Sequence, residues 1–173
     1  MTAESQPWDG NWLMMISPHF WAGFGVVLSI GISVIGAGWG IFMTGASLLG
    51  ASVAHPKITS KNLISVLFCE ALAIYGIILA IIIQNKYAPA HYPYQAQDYR
   101  AAFALHFAGA ITGFSNLGAG YCVGKLGAAI ANADAADSTL FVKCFIMEIF
   151  GEAIGLMGVI VAVIVASSAS FRP

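Results

Sequence analysis

The chain has 173 residues, of which 59% are hydrophobic and only 9% charged; its mean hydropathy is +0.82 and its formal net charge is −1. Soluble domains carry roughly 25% charged residues, so the composition excludes an ordinary soluble fold and predicts an integral membrane protein. It also excludes a nucleic-acid footprint, and Cys69, Cys122 and Cys144 sit in apolar runs at spacings that suit neither zinc nor a disulfide framework.

Residues 1–17 carry Trp8 and Trp12 beside Asp9, Gly10 and Asn11. This stretch is too short and too polar to span, and it reads as an interfacial segment anchored by its tryptophans. No basic residue precedes Lys57, so no signal peptide is expected. Four apolar runs follow, at 20–54, 63–84, 101–131 and 140–168. A span needs about 20 residues, so each qualifies, and the longer ones should tilt or protrude. His55, Pro56 and Lys57 break the first pair of runs; Asn132, Asp134 and Asp137 break the second. A connecting loop at 87–100 carries Pro89, Pro93 and several tyrosines. The expected fold is therefore all-α with four transmembrane helices. A first helical hairpin covers 18–86 and a second covers 101–173.

The two hairpins repeat one another. At a fixed offset of 82, Gly31-Ile32-Ser33 aligns with Gly113-Phe114-Ser115, and Gly36-Ala37-Gly38-Trp39 with Gly118-Ala119-Gly120-Tyr121. Gly45-Ala46 aligns with Gly127-Ala128, and Lys61 with Lys143. Each unit has two spans, so the units share one orientation and the repeat is parallel. That weighs against inverted-repeat transporter folds. The first and third runs hold 14 of the 19 glycines, with small-xxx-small pairs at Gly36/Gly40, Gly109/Gly113 and Gly120/Gly124. Small residues let helix backbones approach closely in lipid. Their concentration on one helix of each hairpin predicts a thin inner helix, suited to the crowded inside of a ring.

The repeat also carries one carboxylate in each unit. Phe68-Cys69-Glu70 precedes Gly76, and Phe150-Gly151-Glu152 precedes Gly158, in otherwise uncharged surroundings. An ionisable group at membrane depth marks a function by default. Burial disfavours the charged form of a carboxyl, which suits Glu70 to carry a proton: neutral against lipid, ionised against a polar channel or a cation. Glu152 is a candidate second carrier on the same argument. Glu148 lies one turn before it on the same face, and the two could share a proton; a supporting role is expected of Glu148. Lys125 either snorkels toward the loop or pairs with Glu148 or Glu152. The cargo reads as H+, because sodium wants several oxygen ligands, and the glutamines fall only at Gln6, Gln84, Gln95 and Gln97.

These motifs resemble the proteolipids of vacuolar-type rotary ATPases, over nearly all of residues 17–168. The pattern is most similar to the c″ branch of that family. The matching residues are Gly36-Ala37-Gly38-Trp39-Gly40-Ile41, Lys61-Asn62-Leu63, Phe68-Cys69-Glu70-Ala71 and Ile74-Tyr75-Gly76 in the first half. The second half adds Ser115-Asn116-Leu117, Ala133-Asp134-Ala135 and Glu148-Ile149-Phe150-Gly151. In that branch the essential carboxylate sits on the second helix of the four-helix core, which is Glu70 here. Two features depart from it: c″ chains often carry an extra N-terminal helix, and a small residue commonly stands where this chain has Glu152.

The resemblance implies a rotor ring of proteolipids in an acidic organelle membrane. Hairpin loops would face the cytosol and the C-terminus the lumen. The stator's a subunit would supply an arginine that strips the proton from Glu70, and the d subunit of the central stalk would join the ring. The chain has no Walker-type Gly-x4-Gly-Lys-Ser/Thr motif. It is therefore expected to transport without a hydrolytic site of its own, and no cofactor or metal is expected. Two rival readings are a self-contained proton-coupled carrier and a structural tetraspan protein.

Overall fold

The structure is a computed structural model that describes residues 16–56, 60–87 and 94–171. Trp8, Trp12, Lys57, Pro89 and Pro93 lie outside the described residues. Four long helices account for nearly all of the rest: α1 (Pro18–Ala54), α2 (Ile64–Lys86), α3 (Ala96–Ala136) and α4 (Phe141–Ser167).

Local chemistry sets the ends of these helices. Pro18 opens α1 at a position whose N–H needs no helical partner, and the Ser17 hydroxyl accepts from the His19 N–H at 3.3 Å. His55-Pro56 closes it. A short 3₁₀ turn leads into each second helix, Ser60–Leu63 before α2 and Ser138–Leu140 before α4. Helix α3 begins at Ala96, inside the stretch that reads as connecting loop. Gln95 and Asp98 form a reciprocal capping box there, and that local signal moves the start outward from the apolar run.

At 1.5 Å per residue, α1 is roughly 55 Å long and α3 roughly 61 Å, well beyond a ~30 Å hydrocarbon core. Among the described residues, three helical segments are long and apolar enough to cross a membrane: Pro18–Ala54, Ser60–Lys86 and Ser138–Ser167. Helix α3 is not among them. Its glycines and alanines contribute little hydropathy, and His106, Asn116 and Lys125 interrupt them. Like α2 it packs against all three other helices, and its contacts with them are the most extensive in the bundle. Low hydropathy is tolerable there because protein covers most of its surface.

The contacts fix the arrangement. Gly25 meets Gly109, Gly36 meets Gly120, and Gly40 meets Gly124, so α1 and α3 run parallel in backbone contact. Gly76 packs on Ser33 in the first hairpin, and Gly158 packs on Ser115 in the second. That pair of antiparallel contacts repeats at an offset of 82. Trp39 and Tyr121, aligned by the same repeat, meet edge to face with centroids 6.2 Å apart. At the loop end, Lys61 Nζ lies 2.6 Å from Asp134 Oδ1, and Asn62 Nδ2 donates to Asp134 Oδ2 at 2.8 Å. This clasp ties the start of α2 to the end of α3.

The α1–α3 contact has no slack. A Cβ on Gly109 would strike the carbonyl of Gly25, and one on Gly120 the carbonyl of Gly36. Gly23 has open space around it. We expect Gly109→Ala and Gly120→Ala each to destabilise the chain by about 1–3 kcal/mol, the usual range for overpacking. Gly23→Ala should leave stability unchanged or slightly raised, since alanine favours helix by about 1 kcal/mol. Unfolding in mixed detergent micelles, followed by circular dichroism, measures both; a Gly109→Ala chain as stable as the parent would contradict this packing.

Candidate functional site

The two repeat-equivalent glutamates have different surroundings. Glu70 is exposed on the outer surface of α2. Glu152 is only 8% exposed, and Glu148 is fully buried. Both of the latter lie on the face of α4 turned toward α2 and α3. The Ser65 hydroxyl on α2 donates to Glu148 Oε2 at 2.9 Å. Tyr75 of α2 approaches Glu152 without closing a hydrogen bond, and both Glu152 carboxylate oxygens are enclosed with no partner among the described residues.

The parallel repeat explains this difference. Within the chain, α4 uses its glutamate-bearing side to pack on α2: Gly155 meets Leu72, and Ser65 reaches Glu148. The same side of α2 carries Glu70, and no described helix of this chain follows it there. Helix α2 uses its other side, with Ser65, Leu72 and Tyr75. The repeat places Met147, Ile154 and Met157 at the corresponding positions of α4, and all three are exposed.

The inner helices follow the same rule. Their backbone contacts run at an offset of 84, while the sequence repeat is 82. Gly36 aligns with Gly118 but touches Gly120. Different faces of the two repeats therefore meet. The α3 face that meets α1 includes Gly113, Gly120 and Gly127; its counterparts on α1, Gly31, Gly38 and Gly45, have no neighbouring atom within 4 Å of an added Cβ. Glu70 and this bare glycine face belong to the same lateral side of the molecule.

Lys125 does not join the carboxylates. It lies on the narrow exposed stripe of α3 with Phe114, Gly118 and Tyr121, its nitrogen 5.9 Å from the Tyr121 ring centroid. Cys69 is buried beside Gly40, where a small side chain is needed. His106 packs its ring against Trp21 and Phe24. Among the described residues no group of His, Cys, Asp or Glu could hold a metal ion.

Asn116 stands in the sequence only as part of a family-like motif, and the structure gives it a task. Fully buried, it donates from Nδ2 to Ser33 Oγ at 2.8 Å and to the Leu72 carbonyl at 3.0 Å. One side chain thus braces α3 to α1 and to α2, two residues past Glu70. Ser29 Oγ donates to the Gly76 carbonyl at 2.8 Å, one turn further along α2. The outer helix is held by its backbone immediately beyond its carboxylate. The signal in the sequence is an amide side chain in an apolar, glycine-rich stretch of helix. Burying a polar group without a partner costs about 1–3 kcal/mol, so such a residue implies partners across the bundle.

Comparison with known proteins bears on what this arrangement does. The family model of the ATP synthase C subunits matches residues 24–83 and 107–165, one stretch in each hairpin. The chain is similar to the c″ subunit of the V-type proton ATPase of Saccharomyces cerevisiae, 48% identical over 163 residues, covering 93% of this chain and 76% of that one. It is 52% identical over 164 residues to the c″2 protein of the V-type proton ATPase from Arabidopsis thaliana, covering 94% and 92%. It is 33% identical over 136 residues to the second 16 kDa c-type proteolipid of the V-type proton ATPase from Caenorhabditis elegans, covering 79% and 83%.

The Asn116 brace can be tested on the isolated chain. Asn116→Ala removes both donors and leaves the Ser33 hydroxyl and a helix carbonyl short of a partner. We expect a loss of about 1–3 kcal/mol in detergent unfolding; an unchanged stability would show that the brace is dispensable.

Proposed function

The chain belongs to the family of ATP synthase C subunits, and from that premise we propose that it is a c″-type proteolipid in the membrane rotor of a V-type proton ATPase, with Glu70 as its proton carrier. The observation that carries this reading is that Glu70 is left uncovered by its own chain, while the repeat-equivalent Glu152 is covered by α2.

A parallel repeat whose halves meet through unlike faces has one unfilled side and one surplus side. Such a head-to-tail contact continues until it closes into a ring. The unfilled side here carries Glu70 with Gly31, Gly38 and Gly45; the surplus side carries Met147, Ile154 and Met157 with Gly118 and Cys122. In a ring, the outer helix of a neighbouring proteolipid covers Glu70 from one side. The stator's a subunit meets it from the membrane side and offers an arginine. Ionised Glu70 is stabilised only beside that cation or an aqueous half-channel, and it must be neutral to re-enter lipid. Rotation therefore moves the proton in one direction. Each proton moved against 100 mV requires about 2.3 kcal/mol, supplied by ATP hydrolysis elsewhere in the complex.

The neighbours in this ring are other kinds of proteolipid. In a contact between two copies of this chain, the pairs Gly25–Gly109 and Gly40–Gly124 would be replaced by Phe107–Val27 and Cys122–Phe42. Those side chains do not permit the backbone approach that α1 and α3 make. The d subunit of the central stalk would join the assembly at the cytosolic loops, in the membrane of an acidic organelle.

The rival reading, a self-contained carrier, predicts transport by the chain reconstituted alone. A second-carrier role for Glu152 follows from its repeat position and competes with its enclosure. ATP-driven acidification of purified vesicles, with assembly checked by pull-down, separates these. We expect Glu70→Gln to abolish acidification while the complex still assembles. Normal pumping by that variant would overturn the assignment; loss of pumping in Glu152→Gln alone would move the working carboxylate to the second hairpin.

A further inference from the structure

Glu148 and Glu152 are buried titratable groups to which rotation past a stator assigns no task. They stand one turn apart on one face of α4, 0% and 8% exposed. Of their four carboxylate oxygens only Glu148 Oε2 has a hydrogen-bond partner among the described residues, the Ser65 hydroxyl at 2.9 Å. No described cation reaches them: Lys61 is held by Asp134, and Lys125 and Lys143 lie on exposed faces. A third group outside the acidic pair is also left unpaired. Asn116 Oδ1 is fully buried with no partner, and it points at α4 beside Gly155, where an added Cβ would lie 2.9 Å from it. The other titratable groups facing this region are Cys69 and Tyr75 from α2 and Cys122 from α3. None of them brings a positive charge.

We propose that Glu148 and Glu152 form an enclosed proton-binding pair, which keeps one proton shared between its two carboxyl groups while Glu70 exchanges its own. Two ionised carboxylates within one helical turn, with no described cation beside them, repel strongly. One proton removes that repulsion. Placed on Glu152, it supplies a donor to Glu148 Oε1, the Glu148 oxygen that has none. Ser65 already donates to Oε2, so the remaining negative charge is shared among hydrogen bonds. The pair then behaves as one unit in its titration. Enclosure by α2, α3 and α4 separates it from the lateral surface where Glu70 lies. Only the contrast with Glu70 rests on the rotor reading; the pair itself does not.

The test uses the full chain with ¹³C-labelled glutamate carboxyl groups, reconstituted into lipid, and reads the infrared carbonyl band of protonated carboxylic acid. The sequence has four glutamates, Glu4, Glu70, Glu148 and Glu152. The double variant Glu4→Gln/Glu70→Gln therefore leaves labelled carboxyls only on the pair and alters neither member. An ordinary glutamate titrates near ~4.3, and roughly two pH units higher it keeps about one proton in a hundred. At that pH we expect the band to retain about half of its low-pH intensity, one proton for two carboxyls. A band that disappears would overturn the proposal, because both groups would then be ionised. A band that keeps its full intensity would overturn the sharing, because each group would hold its own proton. Neither outcome depends on whether Glu70→Gln pumps, so failure here is distinct from failure of the rotor assignment.

Discussion

Two parallel helices in backbone contact set the geometry of this molecule. Glycine on both sides of the α1–α3 seam, at Gly25 and Gly109, Gly36 and Gly120, and Gly40 and Gly124, lets the inner helices approach without side chains between them. In lipid this packing is not driven by a hydrophobic effect, since tails and side chains are equally apolar. Close van der Waals contact and a few buried hydrogen bonds replace it. The outer helices are then laid on the inner pair by Ser33 on Gly76 and Ser115 on Gly158, and they are braced by Asn116 and Ser29. The positions of the carboxylates follow from these contacts.

The consequence for function comes from a small mismatch. The sequence repeats every 82 residues, while the inner helices touch at 84, so the hairpins meet through unlike faces. One carboxylate of the repeat is therefore covered inside the chain and the other is left at its edge. A symmetric contact would have covered both or neither. The same rule leaves Gly31, Gly38 and Gly45 bare beside Glu70 on one side, and Met147, Ile154 and Met157 exposed on the other. An edge of this kind is complete only in an assembly. The proton exchange proposed for Glu70 rests on this edge, where its own fold leaves the carboxylate uncovered.

Much of this is legible in the sequence. The duplication, the parallel sense of the repeat and the concentration of glycine on two helices all follow from counting residues. The depth of Glu70 and Glu152 follows from their apolar flanks. Which of the two is enclosed does not, because the faces that meet depend on the two-residue shift between the repeat and the contact register. Spacing alone leaves Lys125 free to pair with the carboxylates, since it says nothing about the side of a helix that protein covers; the lysine lies on the exposed stripe. Hydropathy starts α3 too late, because the apolar run begins after the capping box of Gln95 and Asp98. Lys61-Asn62 and Ala133-Asp134-Ala135 carry a resemblance in the sequence but no mechanism. The clasp between Lys61, Asn62 and Asp134 supplies one: a charge pair and an amide close the loop end of the bundle.

In the proposed ring, the side of the chain bearing Glu70 and the bare glycine face is completed by a different proteolipid. Electron cryo-microscopy of the assembled complex tests it most directly. We expect a neighbouring proteolipid's inner helix against Gly31, Gly38 and Gly45, its outer helix beside Glu70, and Glu152 covered only by its own chain. A complex in which that face meets lipid, or in which Glu152 rather than Glu70 lies at the junction between neighbouring proteolipids, would contradict it.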